Sequence, residues 1–241
     1  MVDENMRYTS HMHKAISKTR QKSGWIFRTF QCRKVGTLRT LWNSLVQPHM
    51  DYGSILWTST NIISEMISQE SPLRSFTKRA TVCRDMNYWK RLEKFKLYSH
   101  QRRIERFKCI YVWKSMNGLT PSLNLEWNNA VNRSGYNLKT PSIVNMTGSI
   151  KTLVDSSMRS EGVKLFNSLP DALKVWDGSF EIFKMNLDKF LEGVPDNPRT
   201  ETLRPDCTDY SGNPSNSIKD WVRKNGLNNF VFDPKISFAC T

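Results

Sequence analysis

Apolar side chains recur in this chain at steps of three and four residues, and Pro or Gly cuts the pattern at short intervals. That combination restricts the fold to helices packed on helices. Over residues 9–31, Met12, Ile16, Thr19, Ser23, Ile26 and Phe30 fall at steps of 4, 3, 4, 3 and 4, which is one face of a long amphipathic helix. Leu38, Leu41, Trp42, Leu45 and Val46 form a more strongly apolar face, with Thr37 as its N-cap and Pro48 as its end or kink. Tyr52, Ile55, Leu56 and Trp57 continue it. A third helix is predicted from about residue 60, carrying Ile62, Ile63, Met66 and Ile67 and interrupted at Ser71-Pro72. Leu97, Ile104 and Tyr111, with Phe107 beside them, predict a helix over 97–116 that stops at Asn117-Gly118. Ser160 to Leu169 reads as a short helix ended by Pro170. Phe180, Phe183, Leu187, Phe190 and Leu191 mark a clear helix with Ser179 as N-cap. Ile218, Trp221 and Val222 mark a last one over 217–224, closed by Asn225-Gly226. Ser142–Val144, Thr152–Val154, Phe230–Phe232 and Ile236–Phe238 are candidate short strands.

The fold class is therefore mainly α, with a few short strands in an irregular α-rich C-terminal region. Three segments are expected: a basic helical domain over 1–118, an extension with short helices over 119–192, and a Pro-rich linker, short helix and tail over 193–241. The formal charge of the 241 residues is +14, and its distribution is lopsided. Residues 1–120 hold 22 Lys and Arg against 8 Asp and Glu, whereas residues 121–241 hold 14 of each. Such asymmetry predicts a polyanion-binding half and a neutral half. Nucleic acid is the favoured polyanion and an anionic membrane surface its weaker rival, since Thr19 and Ser23 stand where insertion wants Leu or Phe. No apolar run approaches the length of a membrane span, and the acidic, polar stretch Met1–Asn5 has none of the features of a signal peptide. The five cysteines are scattered and fit free thiols in a reducing compartment rather than a zinc site. The expected location is intracellular, nuclear or cytoplasmic, and not secreted.

Catalytic patterns are missing from the sequence. It contains no Asp-Asp pair, no Gly-x-x-x-x-Gly-Lys loop, no Gly-x-Gly-x-x-Gly and no Gly-x-Ser-x-Gly elbow. His11, His13, His49 and His100 have no obvious nucleophile or metal co-ligand. Neither catalysis by this chain alone, nor a cofactor or metal, nor a small-molecule ligand is expected. Basic residues interleaved with aromatics do stand out, first in Trp25, Phe27, Arg28, Phe30, Arg33 and Lys34, then from Tyr88-Trp89-Lys90-Arg91 through Arg103, Arg106 and Lys108. Lys and Arg neutralise phosphates, and exposed rings stack on bases. Each aromatic taken singly fits a core position better. Lys14, Lys18 and Lys22 recur every four residues, about 200° around the helix from Met12. Lys14, Lys18, Lys22 and Arg28, with Trp25 as a stacking residue, form the first set of candidate nucleic-acid contacts. Arg102, Arg103 and Arg106 form the second.

Several strings resemble one family in its own order. Val2-Asp3-Glu4-Asn5-Met6-Arg7-Tyr8 resembles the segment just after the palm in reverse transcriptases of non-LTR (LINE-type) retrotransposons. Gly24 to Phe30, Leu41 to Tyr52 and Arg74-Ser75-Phe76-Thr77-Lys78 resemble that family's thumb region. Tyr88-Trp89-Lys90-Arg91-Leu92 through Leu97 to Arg103 is the strongest match. Leu165-Phe166-Asn167-Ser168-Leu169-Pro170, then Phe180 to Leu191 with Val194-Pro195-Asp196, resemble its downstream extension. The sequence departs from the pattern at Ser71-Pro72, where relatives read as continuous helix, and at Gly53.

The resemblance implies a thumb-like helical bundle plus C-terminal extension of an RNA-directed DNA polymerase. It implies RNA and DNA, as template–primer duplex, and upstream polymerase domains as partners. Magnesium would belong to the parent enzyme, whose catalytic aspartates match no position here. The rival reading is a protein-interaction or scaffold module, with the apolar faces of 38–46 and 55–57 awaiting an absent palm or partner, or a decayed element without function.

Overall fold

Proline and serine decide where the predicted helices run on and where they widen. The computed structural model describes residues 8–57, 63–120, 127–131, 137–141, 158–176, 178–196, 217–227, 230, 231 and 233. It is mainly helical, with one two-stranded antiparallel ribbon among these residues. Helix α1 (Thr9–Thr29) buries Met12, Ala15, Ile16, Thr19, Ser23 and Ile26, the predicted seam. Its polar members are satisfied locally. Thr19 Oγ1 donates to the Ala15 carbonyl (2.7 Å) and Ser23 Oγ to the Thr19 carbonyl (2.8 Å), so neither hydroxyl is stranded in the core.

Helix α2 (Val35–Leu41) begins ahead of Thr37, because Lys34 takes the extended N-cap conformation. The Thr37 hydroxyl instead lies 3.4 Å from Cys32 Sγ. Before Pro48 the chain widens into a π-helical turn over Trp42–Val46, where the Gln47 N–H donates to the Trp42 carbonyl (2.8 Å). Pro48 has no N–H to give to the turn behind it, and the wider turn lets it open α3 (Pro48–Asp51) in the first helical position. Gly53, at φ +63°, turns the chain into α4 (Ser54–Trp57), a conformation that a side chain disfavours.

Helix α5 (Ile63–Lys78) continues unbroken through Pro72, where the sequence predicts an interruption. Its neighbour explains how. Pro72 cannot donate to the Ser68 carbonyl, and the Ser71 hydroxyl does so instead (2.8 Å). The same oxygen accepts from Arg20 (2.7 Å). Helix α6 (Tyr88–Phe95) is capped by Asn87, whose side chain accepts from the Lys90 N–H (2.9 Å). Helix α7 (His100–Met116) starts after Leu97 and ends before Gly118, at φ +67°. Its buried face is Ile104, Cys109, Val112 and Trp113 together with Glu105 and Lys108. Phe107 and Tyr111 are only half-buried, so the face is turned from the predicted Leu97–Ile104–Tyr111 row.

Two compact units divide the described residues. The boundary falls inside α7, between Ile104 and Glu105, and not near residue 118. The first unit holds the residues up to Ile104 together with Asp196. Its main core is Ile26, Leu38, Trp42, Val46, Leu73, Phe76, Ala80, Cys83, Tyr88, Trp89, Leu92 and Phe95. A satellite of Met12, Ala15, Ile16, Met50 and Trp57 lies under the first half of α1. Leu38, Trp42, Val46 and Trp57 thus find their apolar neighbours within the chain.

The second unit takes Glu105 to Pro195 and the residues from Ser217 on. Strands β1 (Trp127–Val131) and β2 (Asn137–Pro141) pair antiparallel, Trp127 opposite Pro141 and Val131 opposite Asn137. The candidate strands Ser142–Val144, Thr152–Val154 and Ile236–Phe238 lie outside the described residues, and Phe230 and Val231 are not in a strand. Most of the linker over 193–216 is likewise outside them.

Helices α8 (Met158–Asn167), α9 (Asp171–Lys174), α10 (Phe180–Glu192) and α11 (Ile218–Asn225) complete the second unit. Its core is aromatic: Trp113 stacks on Phe183 at 4.9 Å, and Phe166 lies 6.5 Å from Phe183. Helix α10 buries Phe183, Leu187, Phe190 and Leu191 as the spacing predicts. Ser179 holds the N-cap position, but its hydroxyl makes no cap bond. No helix among the described residues is long and apolar enough to cross a membrane.

Candidate nucleic-acid interface

The apolar seam of α1 fixes which residues face water. Because Met12, Ile16, Thr19, Ser23 and Ile26 are buried, Lys14, Lys18, Lys22 and Arg28 are exposed. Trp25 shares that exposure at 44% and meets Phe30 edge-on, with ring centroids 6.1 Å apart. Successive lysines climb about 6 Å along the axis. Among the described residues no carboxylate lies within ion-pair distance of Lys14, Lys18, Lys22 or Arg28. Part of the unbalanced charge of the sequence is thus displayed here as a row. His49 on α3 is drawn into the same field. Burial first, then the charges of Lys18 and Lys22, lower its pKa. Sequence spacing could not have joined His49 to this face, because it sits on another element.

The second predicted set is differently placed. Arg102 is fully buried, and its Nε donates to Asp196 (3.3 Å). Arg103 pairs with Asp51, its Nε donating to Oδ1 at 3.2 Å. In the second unit, Arg106 donates from Nε and the guanidinium NH2 to both oxygens of Asp188 (2.5 and 2.8 Å). These guanidiniums are spent on carboxylates of the chain itself, so they do not form an exposed phosphate-binding face. The signal that misled was local: three arginines in five residues look unbalanced until partners 52 to 94 positions away come into range.

The interleaving of basic and aromatic residues is also consumed largely inside the fold. Arg33 and Arg79 lie over the ring of Phe27, their guanidinium carbons 4.9 and 4.7 Å from its centre. Arg74 and Arg91 lie over Tyr88 at 4.9 and 5.6 Å. Tyr88 and Trp89 are core residues. Of the aromatics in those two basic strings, Trp25 alone is exposed.

A buried polar cluster holds the start of α7. The Glu70 carboxylate accepts the Tyr88 hydroxyl and the His100 N–H (2.9 Å to Oε2). Asp196 accepts the Ser99 N–H (2.7 Å) and the Ser99 hydroxyl (2.9 Å). Both carboxylates meet the positive end of the helix. Burial pushes the Glu70 carboxyl up to about 7, against the pull of its Tyr88 and His100 hydrogen bonds. Burial and the charge of Arg103 push the His100 imidazole down to about 3. Burial holds the Tyr88 hydroxyl protonated, well above its ordinary pKa.

Perturbed groups of this kind mark catalytic sites elsewhere, but this cluster has no room for a substrate. The adjoining cavity, lined in part by Gln47, Gln69, His100 and Arg103, measures about 10 Å³, room for a single water. No group of three or more His, Cys, Asp or Glu among the described residues is placed to hold a metal. Asp51 and Asp196 already face arginines, whose charge opposes a cation. Comparison with protein-family models, with curated proteins and with solved structures finds no match.

Proposed function

We propose that the chain is the non-catalytic C-terminal part, thumb and downstream extension, of a non-LTR retrotransposon RNA-directed DNA polymerase. It grips template–primer RNA/DNA through the exposed face of α1, and its setting is an intracellular ribonucleoprotein, nuclear or cytoplasmic. The observation that carries the reading is the row Lys14, Lys18 and Lys22, exposed and without a carboxylate partner among the described residues. Like charges at four-residue spacing cost helix stability. A polyanion removes that cost and releases counterions. The contacts are to phosphate, so they position a duplex without reading its sequence. Trp25, exposed at the end of the row, adds a surface for stacking on a base.

The test is duplex binding by fluorescence anisotropy across a salt series. Log affinity should fall linearly with log salt, by about 0.9 per phosphate contact on duplex DNA. The variant carrying Lys14→Gln, Lys18→Gln and Lys22→Gln should lose about 3 from that slope. A slope unchanged in the triple variant removes α1 as the interface. Binding that is flat in salt removes the nucleic-acid reading altogether and leaves the docking one. For that second reading, the side chains to consider are Tyr52 and Leu56, exposed at 81% and 69%.

A further inference from the structure

We propose that Arg33 and Arg79, set around the ring of Phe27, form a second anion site that takes a phosphate group. The proposal rests on the nucleic-acid reading above for the source of that phosphate, but the site lies off the lysine row and can be tested separately. Arg33 is fixed in place. Its guanidinium donates to the carbonyls of Phe27 (2.7 Å) and Phe30 (2.5 Å) at the end of α1, with its carbon 4.9 Å from the Phe27 ring centre. Arg79, just beyond α5, places its guanidinium carbon 4.7 Å from the same centre and is exposed. Both charges are thus held against one ring, no farther apart than about one Debye length at 0.1 M salt, roughly 10 Å.

Neither has a carboxylate within ion-pair distance among the described residues. The contrast within the same chain is informative, because Arg102, Arg103 and Arg106 each meet an aspartate. For Arg33 the last carbonyls of α1 supply partial negative charge. For Arg79, among the described residues, the partner is the face of the ring. Arg74 and Arg91 repeat the geometry on Tyr88, but that ring is fully buried and no solute can reach it. The Phe27 pair reaches the surface instead: Phe27 and Arg33 are half-buried and Arg79 is exposed.

A guanidinium carries five N–H donors in a planar fork. Two carbonyl bonds leave Arg33 with donors to spare, and Arg79 keeps its full set. A phosphate has enough acceptor oxygens to take bonds from both forks at once, the arrangement for which arginine is suited and lysine is not. Arg33 is already held by its two carbonyl bonds before an anion arrives, so little of its freedom is lost on binding.

Arg79→Gln tests this. Arg79 is exposed and makes no hydrogen bond that the fold needs, so the variant should melt like the parent in chloride. Adding inorganic phosphate at matched ionic strength should raise the Tm of the parent and not that of R79Q. In the duplex series, R79Q should lose about 0.9 from the salt slope and weaken binding several-fold whatever the sequence. An equal phosphate shift in both proteins overturns the site. A lost phosphate shift with an unchanged duplex slope supports a site for free phosphate and overturns the backbone as its source. A lost shift in a chain that binds no duplex upholds the anion site while the nucleic-acid reading fails.

Discussion

Ser71 shows how much one hydroxyl can decide. It donates to the Ser68 carbonyl that Pro72 leaves without an N–H, and it accepts from Arg20. Without it α5 would contain the break that Ser71-Pro72 predicts from sequence. Ser71→Ala should therefore cost about 1–2 kcal/mol, the expense of stranding a helix carbonyl. In a Pro72→Ala background the backbone N–H returns, and the same change should cost much less. Urea unfolding of the four proteins in that cycle is the measurement; equal costs in both backgrounds would mean that Ser71 does not stand in for the proline. The arginines teach the complementary lesson. Arg102, Arg103 and Arg106 looked like a basic face because their neighbours in sequence are basic. Their roles are set instead by Asp196, Asp51 and Asp188, and long-range pairing of this kind leaves no periodic trace. Lys14, Lys18 and Lys22 were legible because the seam beneath them is periodic, and burying one face of a helix fixes the other.

At the scale of elements, α1 is where sequence and structure agree most closely, and its two weak positions explain why. Thr19 and Ser23 enter the core at no hydrogen-bonding cost, since each hydroxyl bonds a carbonyl one turn back. A helix carbonyl already accepts from the backbone N–H four residues on, so Thr19→Val should strand nothing. It should melt within about 1 kcal/mol of the parent and bind duplex with the same salt slope, since position 19 faces away from the lysines. A loss above about 2 kcal/mol on thermal melting would point to a further partner for the hydroxyl. The π-turn before Pro48 and the turned face of α7 were not legible. Apolar spacing tells which residues share a side of a helix. It does not tell where a missing N–H will be absorbed by a wider turn, nor that Glu105 and Lys108 would be buried beside Val112 and Trp113. Buried Lys108 pairs with half-buried Glu161, 53 residues away. Glu105 accepts the Ile218 N–H (3.2 Å) at the start of α11, 113 residues away.

For the whole molecule, the excess positive charge of residues 1–120 is the property most open to the surroundings, through salt and through pH. The salt response belongs to the surface. The pH response has a buried component, Glu70. Its carboxyl holds its proton to about 7 in the folded chain and has an ordinary value of 4.5. The unfolded state therefore binds fewer protons than the folded state across that interval, and stability falls as pH rises through it. Glu70→Gln keeps an acceptor for Tyr88 and His100 but cannot ionise. Relative to the parent it should gain about 2–3 kcal/mol between pH 5 and pH 8, read from urea midpoints; parallel curves would mean that the carboxyl is ionised in the fold. His100 runs the other way, with a folded value of about 3 against 6.5, so its contribution is lost as pH falls from 6.5 toward 3. Between 4.5 and 6.5 the two opposite slopes cancel. In that window the folded chain keeps one proton on the carboxyl of Glu70, and the unfolded chain keeps one on the imidazole of His100. Unfolding then relocates a proton without exchanging it with the buffer, so the heat this pair contributes to a calorimetric transition is the same in acetate as in MES. Glu70→Gln breaks the exchange, and its transition should draw about one more proton from the buffer than the parent's does.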